Sequence, residues 1–490
     1  MQNQHQEGSK KAPPLTMIDP ESLVQDFAQI LGIENVIDPR TRPEKLEDYL
    51  KDMGDYPSNP LLILQPKTNE QVSAIVSLAR KNKIPIVARG AGTSLTGATS
   101  TQGGITIDFS KNMDKILKID TVNWYVHCQA GVVLEDLNNA LRSKGFFFPP
   151  DPSSSPWCTV GGAVSENSGG MRCFRYGTVE DWVYSLRVVL SDGSIATLGE
   201  PLPKNRAGYD LVHLLCGSEG TLALITEAWL KIAPFPKERK STRMLVFFDD
   251  WKSAGRSIQK MREERIQPIL LEFLDGETVR ALNVAFEEFN IPEHEATLFI
   301  ETDGSVDEIL KVCGDNGSSG NYIAKDEQDG ERLYSARALV YLGIRGIGLS
   351  FHTEDVVVPI DRLIDYLEFL KIVSKKYGVR IPTGGHAGDG NVHPIILYDE
   401  SSKEATLAAK KAFEEICSYA IEVGGSVTGE HGIGEQKIDF ALAQLNSHGG
   451  TRAYGLMKEI KKIWDPDNIF NPGKFLKMSE EEGREDALRQ

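Results

Sequence analysis

A chain of 490 residues with 40% hydrophobic and 25% charged content has the makeup of a soluble globular protein, with length for about three domains and more than one core. Its net charge of −16 argues against a nucleic-acid partner, which calls for a basic face, but leaves room for an anionic substrate held by a local arginine. The longest apolar runs, such as 60–64 and 84–88, are strand-length, far short of the roughly 20 residues of a membrane span.

The polar stretch 1–14 has no apolar core and reads as a disordered leader rather than a signal peptide. The six cysteines (128, 158, 173, 216, 313 and 417) are far apart and form no CxxC pair, which excludes clustered iron–sulfur and zinc-ribbon motifs and suits a reduced, cytoplasmic setting. Residues 20–31 read as a helix capped by Asp19 and ended by Gly32, and 42–51 as a charged helical segment. A buried strand over 61–64, an amphipathic helix over 69–82 with Val72, Ile75, Val76 and Ala79 on one face, and a strand over 84–88 form a strand–helix–strand unit. It runs into Arg89-Gly90-Ala91-Gly92-Thr93-Ser94-Leu95-Thr96-Gly97-Ala98, whose small residues let successive backbone N–H groups turn inward as an anion nest. Leu95 stands where GxGxxG needs its last glycine, and no Gly-Lys-Ser/Thr follows; a glycine-rich turn without a ligand is the competing reading.

Strands at 104–108, 116–119 and 124–130 and a helix over 134–144 precede the proline-rich 149–156. Residues 159–170 carry glycine pairs at both ends, as a helix lying against another backbone or a flat ligand would. Residues 217–226 are a third Gly/Ser element, ending in a strand. Three such elements within about 140 residues read together as one elongated cavity for a large phosphate-bearing ligand. The pattern stops at 234–237, where a domain boundary is placed. Beyond it, strands at 244–248, 268–274 and 296–302 alternate with helices at 251–265 and 277–289, the pattern of an antiparallel sheet with helices on one face. Residues 314–320 read as a polar loop, 329–342 as a helix carrying Arg332 and Arg337, 353–359 as a strand and 361–377 as a helix. Helices at 403–423 and 458–464 follow, then a charged, solvated tail from Ser479.

Chemistry gathers late in the chain. In His386-Ala387-Gly388-Asp389-Gly390-Asn391-Val392-His393, Asp389-Gly390 is the signature of a two-residue type I′ turn. That turn sets His386 opposite His393 with Cβ atoms about 4.5–5.5 Å apart, within reach of one divalent metal; two polar residues flanking a surface hairpin is the alternative. Gly429-Glu430-His431-Gly432-Ile433-Gly434 places an acid beside an imidazole. A regular strand would send them to opposite faces, whereas a glycine-flanked kink could aim both at one site.

Six motifs in this order resemble one family: residues 88–94, Thr159-Val160-Gly161-Gly162, Gly217-Ser218-Glu219-Gly220-Thr221-Leu222, the His386–His393 octapeptide, Gly429–Gly434 and Asn471-Pro472-Gly473-Lys474. They are similar to FAD-linked oxidoreductases of the vanillyl-alcohol oxidase and p-cresol methylhydroxylase type, over residues 57–475. The nearest branch is that of glycolate oxidase flavoprotein subunits, D-lactate dehydrogenases and D-2-hydroxyglutarate dehydrogenases. The resemblance implies an α+β protein: a p-cresol methylhydroxylase-type FAD-binding domain of two subdomains, plus an α+β cap (substrate) domain with an antiparallel sheet. The expected division is 1–56 leader and helical segment, 57–236 FAD domain, 237–457 cap, and 458–490 a C-terminal segment returning to the FAD domain. It further implies that Arg89, Gly90, Ala91, Gly92, Thr93 and Ser94 hold the pyrophosphate, and that Pro150, Asp151, Ser153, Thr159, Gly161 and Gly162 line the flavin. Gly169, Gly170, Glu219, Gly220 and Ile225 would lie along the rest of the cofactor, with Asn471 closing the fold beside it. A divalent metal (Zn, Fe or Mn) would sit on His386, His393 and Glu430, with His431 as general base.

Oxidising a 2-hydroxy acid removes the hydroxyl proton and delivers a hydride to flavin. A Lewis acid on the oxygen favours the alkoxide, and a neutral imidazole is suited to take the proton. The carboxylate wants a bidentate guanidinium: Arg337 matches the family's arginine, and Arg345 is near enough to compete. The hydroxyglutarate enzymes carry a lysine near the place of Thr353; its absence disfavours a second carboxylate and favours D-lactate or glycolate. With no clustered cysteines, the electron acceptor is external: an electron-transfer flavoprotein, an iron–sulfur subunit or a quinone, and such a partner could attach the protein to a membrane. Noncovalent FAD is expected, because no histidine lies in the loops beside the flavin methyls. A homo-oligomer is compatible with all of this. Competing readings are an alkyl-glycerone-phosphate synthase-like FAD transferase, a metal-dependent hydrolase built on His386, His393 and Glu430, and a noncatalytic flavoprotein subunit.

Overall fold

The computed structural model describes residues 19–235, 241–447 and 450–478; the expected leader, the charged tail and the 236/237 boundary lie outside the described residues. The first helix is Pro20–Leu31, where the sequence places it. The Asp19 carboxylate accepts from Glu21 N and Ser22 N at 3.3 and 3.1 Å, satisfying two of the amides that a helix start leaves open. Residues 42–51 form two short 3₁₀ turns, Pro43–Lys45 and Glu47–Tyr49, rather than one helix.

Three sheets organise the chain. In the first, Leu62–Leu64 and Ile86–Arg89 flank Ile105–Asp108 in parallel, and Val36–Ile37 pairs antiparallel with Leu62–Leu64. Helix Asn69–Lys81 packs Val72, Ile75, Val76 and Ala79 onto this sheet. Both faces of the Leu62–Leu64 strand are covered, which is why it reads as an unbroken apolar run. The C-terminal segment reaches the same sheet: Ile86 N donates to Ile469 O at 2.7 Å and Asn471 N to Ile86 O at 2.8 Å. The second sheet is a five-stranded antiparallel layer in the order Ile116–Asp120, Tyr125–Gln129, Leu224–Lys231, Val183–Val189, Ile195–Gly199.

The third sheet has eight strands, all antiparallel, with Thr242–Phe248, Ala296–Thr302, Leu270–Asp275, Thr383–Gly385 and Asn391–Tyr398 as consecutive neighbours. Helices cover both of its faces, not one. Met244, Val246 and Phe248 pack with helices Trp251–Glu263, Val306–Asp315, Leu363–Tyr377 and Lys403–Glu422. Leu245 and Phe247, pointing the other way, pack with Gly276–Ala285, Glu327–Ala338 and Val340–Arg345. The strands are apolar at successive positions, so period-two reading could not assign a solvent face. The expected loop at 314–320 is in part the edge strand Ser318–Ile323, whose small polar residues pair with Thr242–Phe248. The expected single helix over 329–342 breaks at Leu339 into Glu327–Ala338 and Val340–Arg345.

Candidate active site

A cavity of ≈ 1400 Å³, open mouth included, is walled by the glycine-rich loop at Gly90–Leu95, the start of helix Val160–Glu166, the cap helices around Arg337 and Tyr341, and the loops carrying His386 and Glu430. A second space of ≈ 520 Å³, between the first two sheets, shares Gly90, Thr99, Thr159, Gly162 and Glu166 with it. This is the elongated cavity that the glycine elements suggest. Gly90, Ala91, Gly92, Thr93 and Ser94 line the large part, and Gly161, Glu219, Gly220 and Ile225 the small one. Among the described residues, no hydrogen bond uses the backbone N–H groups from Gly90 to Leu95. The loop's carbonyls at Gly92 and Ser94 instead accept from Met53 N and Gly54 N at 3.0 and 3.1 Å. A loop anchored by its carbonyls with its amides free is built to receive an anion.

Several predicted cofactor residues act differently. Arg89 borders the smaller space, but its guanidinium donates to the Asp48 and Lys51 carbonyls at 2.8 and 3.0 Å, tying down the preceding segment. Pro152 and Ser153 line the cavity with Thr159, whereas Pro150 is buried and Asp151 accepts from Arg172 N at 3.0 Å and the Tyr334 hydroxyl at 2.5 Å. Asn471 braces the fold by donating to Ala98 O and Glu219 O, both at 2.8 Å. Gly170 packs against the Asp151 backbone. Gly169 lies under Glu430: a Cβ there would meet Glu430 Oε2 at 2.6 Å.

The hairpin departs from the predicted register. Residues 387–390 form a four-residue turn, with Gly390 at φ +75°, and His393 pairs with Gly384 rather than with His386. The slip is by two residues, and strand side chains repeat every two, so both imidazoles stay on one face. Their ring centroids are 5.2 Å apart. Glu430 Oε1 lies 2.9 Å from His386 Nε2 and 3.3 Å from His393 Nε2, so the two imidazoles converge on one oxygen of the third predicted ligand. The His431 ring stacks on His393 at 5.0 Å. Donor atoms of Asp355, His393, Glu430 and His431 lie within 4.8 Å of one another.

Two buried acids absent from the sequence reading hold this arrangement. Asp355 Oδ2 accepts from Thr428 Oγ1 and from the N–H groups of Gly429, Glu430 and His431 at 2.7–2.8 Å, while Oδ1 accepts from Asn391 Nδ2 at 2.8 Å. One carboxylate oxygen thus winds the loop around itself, which aims Glu430 and His431 into one cavity where a strand would have parted them. Glu272 takes His386 Nδ1 at 2.8 Å and Arg337 Nη2 at 2.5 Å. Arg337 is buried and lines the cavity; Arg345 instead pairs with Asp55 at 3.2 Å, which separates the two candidates. An acid inside the apolar run 270–275, and another in 353–359, was the available signal, since buried acids need partners.

The electrostatics fit a cation and a base. Burial opposes charge on His386, but the Glu272 and Glu430 carboxylates outweigh it and push the imidazole well above its ordinary value. Burial likewise would raise Glu430, yet His386 and His393 hold it well below the usual carboxylate range. His386 Nε2 and Glu430 Oε1 face each other at 2.9 Å, a gap where a metal ion would replace a shared proton. Burial lowers His431 to about 4 despite the neighbouring carboxylates, leaving a neutral ring at neutral pH. Glu272, Asp355 and the half-buried Glu430 outnumber the Arg337 guanidinium by two, a balance that a divalent ion would restore on replacing the His386 proton.

Two family models match the chain: "FAD binding domain" over residues 60–199 and "FAD linked oxidases, C-terminal domain" over residues 237–475. The glycolate oxidase subunit GlcD of Bacillus subtilis is 36% identical over 92% of this chain and 96% of its own length. The D-lactate dehydrogenase of Archaeoglobus fulgidus is 35% identical over 85% of this chain and 91% of its own. The fold resembles that of p-cresol methylhydroxylase with a TM-score of 0.73 at 18% identity, covering 93% of this chain and 96% of that one. None of the described helices is long and apolar enough to cross a membrane. With both halves of the molecule matched and the cofactor cavity running between its sheets, the chain belongs to the FAD-linked oxidase family.

Proposed function

We propose that the protein oxidises a D-2-hydroxy acid, D-lactate or glycolate by preference, to the 2-oxo acid and passes the electrons to an external acceptor. The observation that carries this reading is that the Arg337 guanidinium side chain lines the same cavity as Glu430, His393 and neutral His431. A carboxylate on the Arg337 fork fixes the acid's orientation by charge-assisted hydrogen bonds. His431, neutral at working pH, accepts the hydroxyl proton as the C2 hydrogen leaves with its electron pair. FAD, when bound, supplies the acceptor for that hydride. A divalent metal held by His386, His393 and Glu430 would supply Lewis-acid polarisation of the hydroxyl. Asp355 keeps the His431 ring and the Glu430 carboxylate at fixed relative positions. The glycine-rich loop offers its free amides to the pyrophosphate. The six cysteines are free and five of them are buried, in keeping with electrons leaving through a partner.

The test is anaerobic addition of D-lactate and of glycolate to the FAD-loaded protein, with and without prior chelator treatment. The expected result is loss of the yellow flavin absorbance with at least one acid, slowed after metal removal. A flavin that stays yellow with both sinks the hydroxy-acid reading and favours an alkyl-glycerone-phosphate synthase-like transferase. The relatives named glycolate oxidase subunit and D-lactate dehydrogenase motivate the choice of the two acids.

A further inference from the structure

Glu272 stands in the middle of the cap sheet, on strand Leu270–Asp275 between Ala296–Thr302 and Thr383–Gly385, with none of its surface exposed. A carboxylate in that position is tolerated only with cationic partners, because desolvation of an unpaired one costs several kcal/mol. It has two, and they belong to different halves of the site. Oε1 and Oε2 lie 2.9 and 2.8 Å from His386 Nδ1, and Oε2 lies 2.5 Å from Arg337 Nη2.

The two contacts have different consequences. With Nδ1 engaged by an acceptor, the His386 ring must present Nε2 to Glu430; the second nitrogen's partner fixes which nitrogen is left for a cation. With Nη2 engaged, the guanidinium plane is held while the side chain stays in the cavity wall. A purely structural ion pair in a core satisfies its own members. Here both partners of Glu272 also line the cavity, so the carboxylate is a hinge pin for two groups of the candidate site.

We propose that Glu272 is a positioning residue that sets the ring orientation of His386 and the guanidinium plane of Arg337 together, coupling the site's affinity for a divalent metal to its affinity for the substrate carboxylate. This rests on the reading under Proposed function. The side chain touches neither substrate nor metal in this role; it acts through its two partners, and the isosteric amide separates charge from shape.

The test uses the full-length, FAD-loaded protein as wild type, Glu272→Gln and Glu272→Asp. Manganese(II) affinity is measured by equilibrium dialysis of chelator-treated protein, and KM and kcat for D-lactate or glycolate are measured at saturating metal. For Glu272→Gln the expected result is a metal Kd weaker by ~10–100-fold, the scale of losing an outer-shell partner, and a KM raised about tenfold or more. Saturating metal recovers kcat and leaves KM high. Glu272→Asp keeps the charge but cannot span both partners, so at least one constant shifts; it carries the test if the amide variant does not fold with stoichiometric FAD. Metal Kd and KM both within twofold of wild type in a folded variant overturn the proposal, as does a change in only one of them in Glu272→Gln. A wild type that binds no divalent ion and oxidises neither acid overturns the underlying functional reading instead, and this one with it.

Discussion

Replacing Asp355 by Asn tests whether the 428–431 loop is wound around one charge. The side chain is completely buried and accepts five hydrogen bonds, four on Oδ2 and one on Oδ1. Asn has the same shape, so no cavity forms. Its carbonyl can replace Oδ2, but its amide must then meet Asn391 Nδ2, which is held in place by a second bond to Val356 O at 3.0 Å. Four bonds each losing roughly 1 kcal/mol of charge assistance give about 4 kcal/mol. That agrees with the ~3–5 kcal/mol typical of breaking a buried ionic arrangement, out of a total stability of about 5–15 kcal/mol. The assay is urea unfolding of the FAD-loaded protein together with steady-state turnover, where a loop displaced by ~1 Å costs on the order of 10²-fold. The pH dependence is a second check. Burial would raise Asp355, but His431, His393 and Lys437 outweigh it and hold it below the ordinary carboxylate value. A depressed folded pKa means its stabilisation is complete above the unfolded value of ~3.9 and fades only as pH falls through the lower folded value. The gap between wild type and Asp355→Asn should therefore be flat from about pH 8 to 5 and close only in strong acid. A loss under about 1 kcal/mol with turnover intact would refute the reasoning.

Arg337→Lys should raise KM for the acid about tenfold or more while FAD content is unchanged, since an ammonium cannot offer the fork; Arg345→Ala should leave KM within twofold, its charge being spent on Asp55. Gly169→Ala places a methyl 2.6 Å from Glu430 Oε2 at ordinary φ, and the overpacking of ~1–3 kcal/mol should weaken manganese binding roughly 10–100-fold; unchanged affinity would separate Glu430 from the metal. Glu227 binds His127 at 2.7 Å, Asn69 at 2.6 Å and Arg187 at 3.3 Å, joining the first two sheets. Burial would raise its pKa, but His127, Asn69 and Arg187 hold it below the ordinary value. Glu227→Gln should therefore cost ~1–3 kcal/mol at pH 7, with the difference from wild type vanishing as pH falls below ~4; a difference independent of pH would remove the charge from the explanation.

Local chemistry was the legible part of the fold. Helix Pro20–Leu31 begins and ends at its predicted residues because Asp19 and Gly32 are local signals. The strand Ala296–Thr302 is likewise where its β-branched and aromatic residues place it. The hairpin shows the limit: the turn dipeptide was visible, but its four-residue closure depends on Gly388 N bonding to Leu271 O at 3.0 Å, a contact from another strand. His386 and His393 were legible as a facing pair from the turn between them, and the resemblance added Glu430, His431 and Arg337, which the structure brings to the same cavity. The layer supporting them was not legible. Glu272 meets Arg337 and His386, and Asp355 meets the 428–431 loop, across separations that no local pattern encodes. The sheet's two apolar faces also hid both acids inside runs that read as ordinary strand.

The same charge inventory bears on which acid the site takes. Glu272, Asp355 and Glu430 outnumber the Arg337 guanidinium by two, and a divalent ion displacing the His386 proton brings the cluster to neutrality. On the proposed function, a monocarboxylate would enter with one negative charge and meet the Arg337 guanidinium, which suits a single carboxylate. A second carboxylate would need a second cation. Among the described residues lining the cavity there is no lysine and no other arginine; Lys437, behind the loop, is fully buried and spent on Glu354 at 3.2 Å and Val427 O at 2.8 Å. Thr353, which does line the cavity, carries a hydroxyl without charge. Bringing an uncompensated carboxylate into that wall costs far more than a hydroxyl contact returns. A dicarboxylic hydroxy acid should therefore have a kcat/KM at least ~10²-fold below that of D-lactate or glycolate, and introducing Thr353→Lys should narrow that gap chiefly through KM; equal efficiency in the wild type would show that the charge balance does not set the choice.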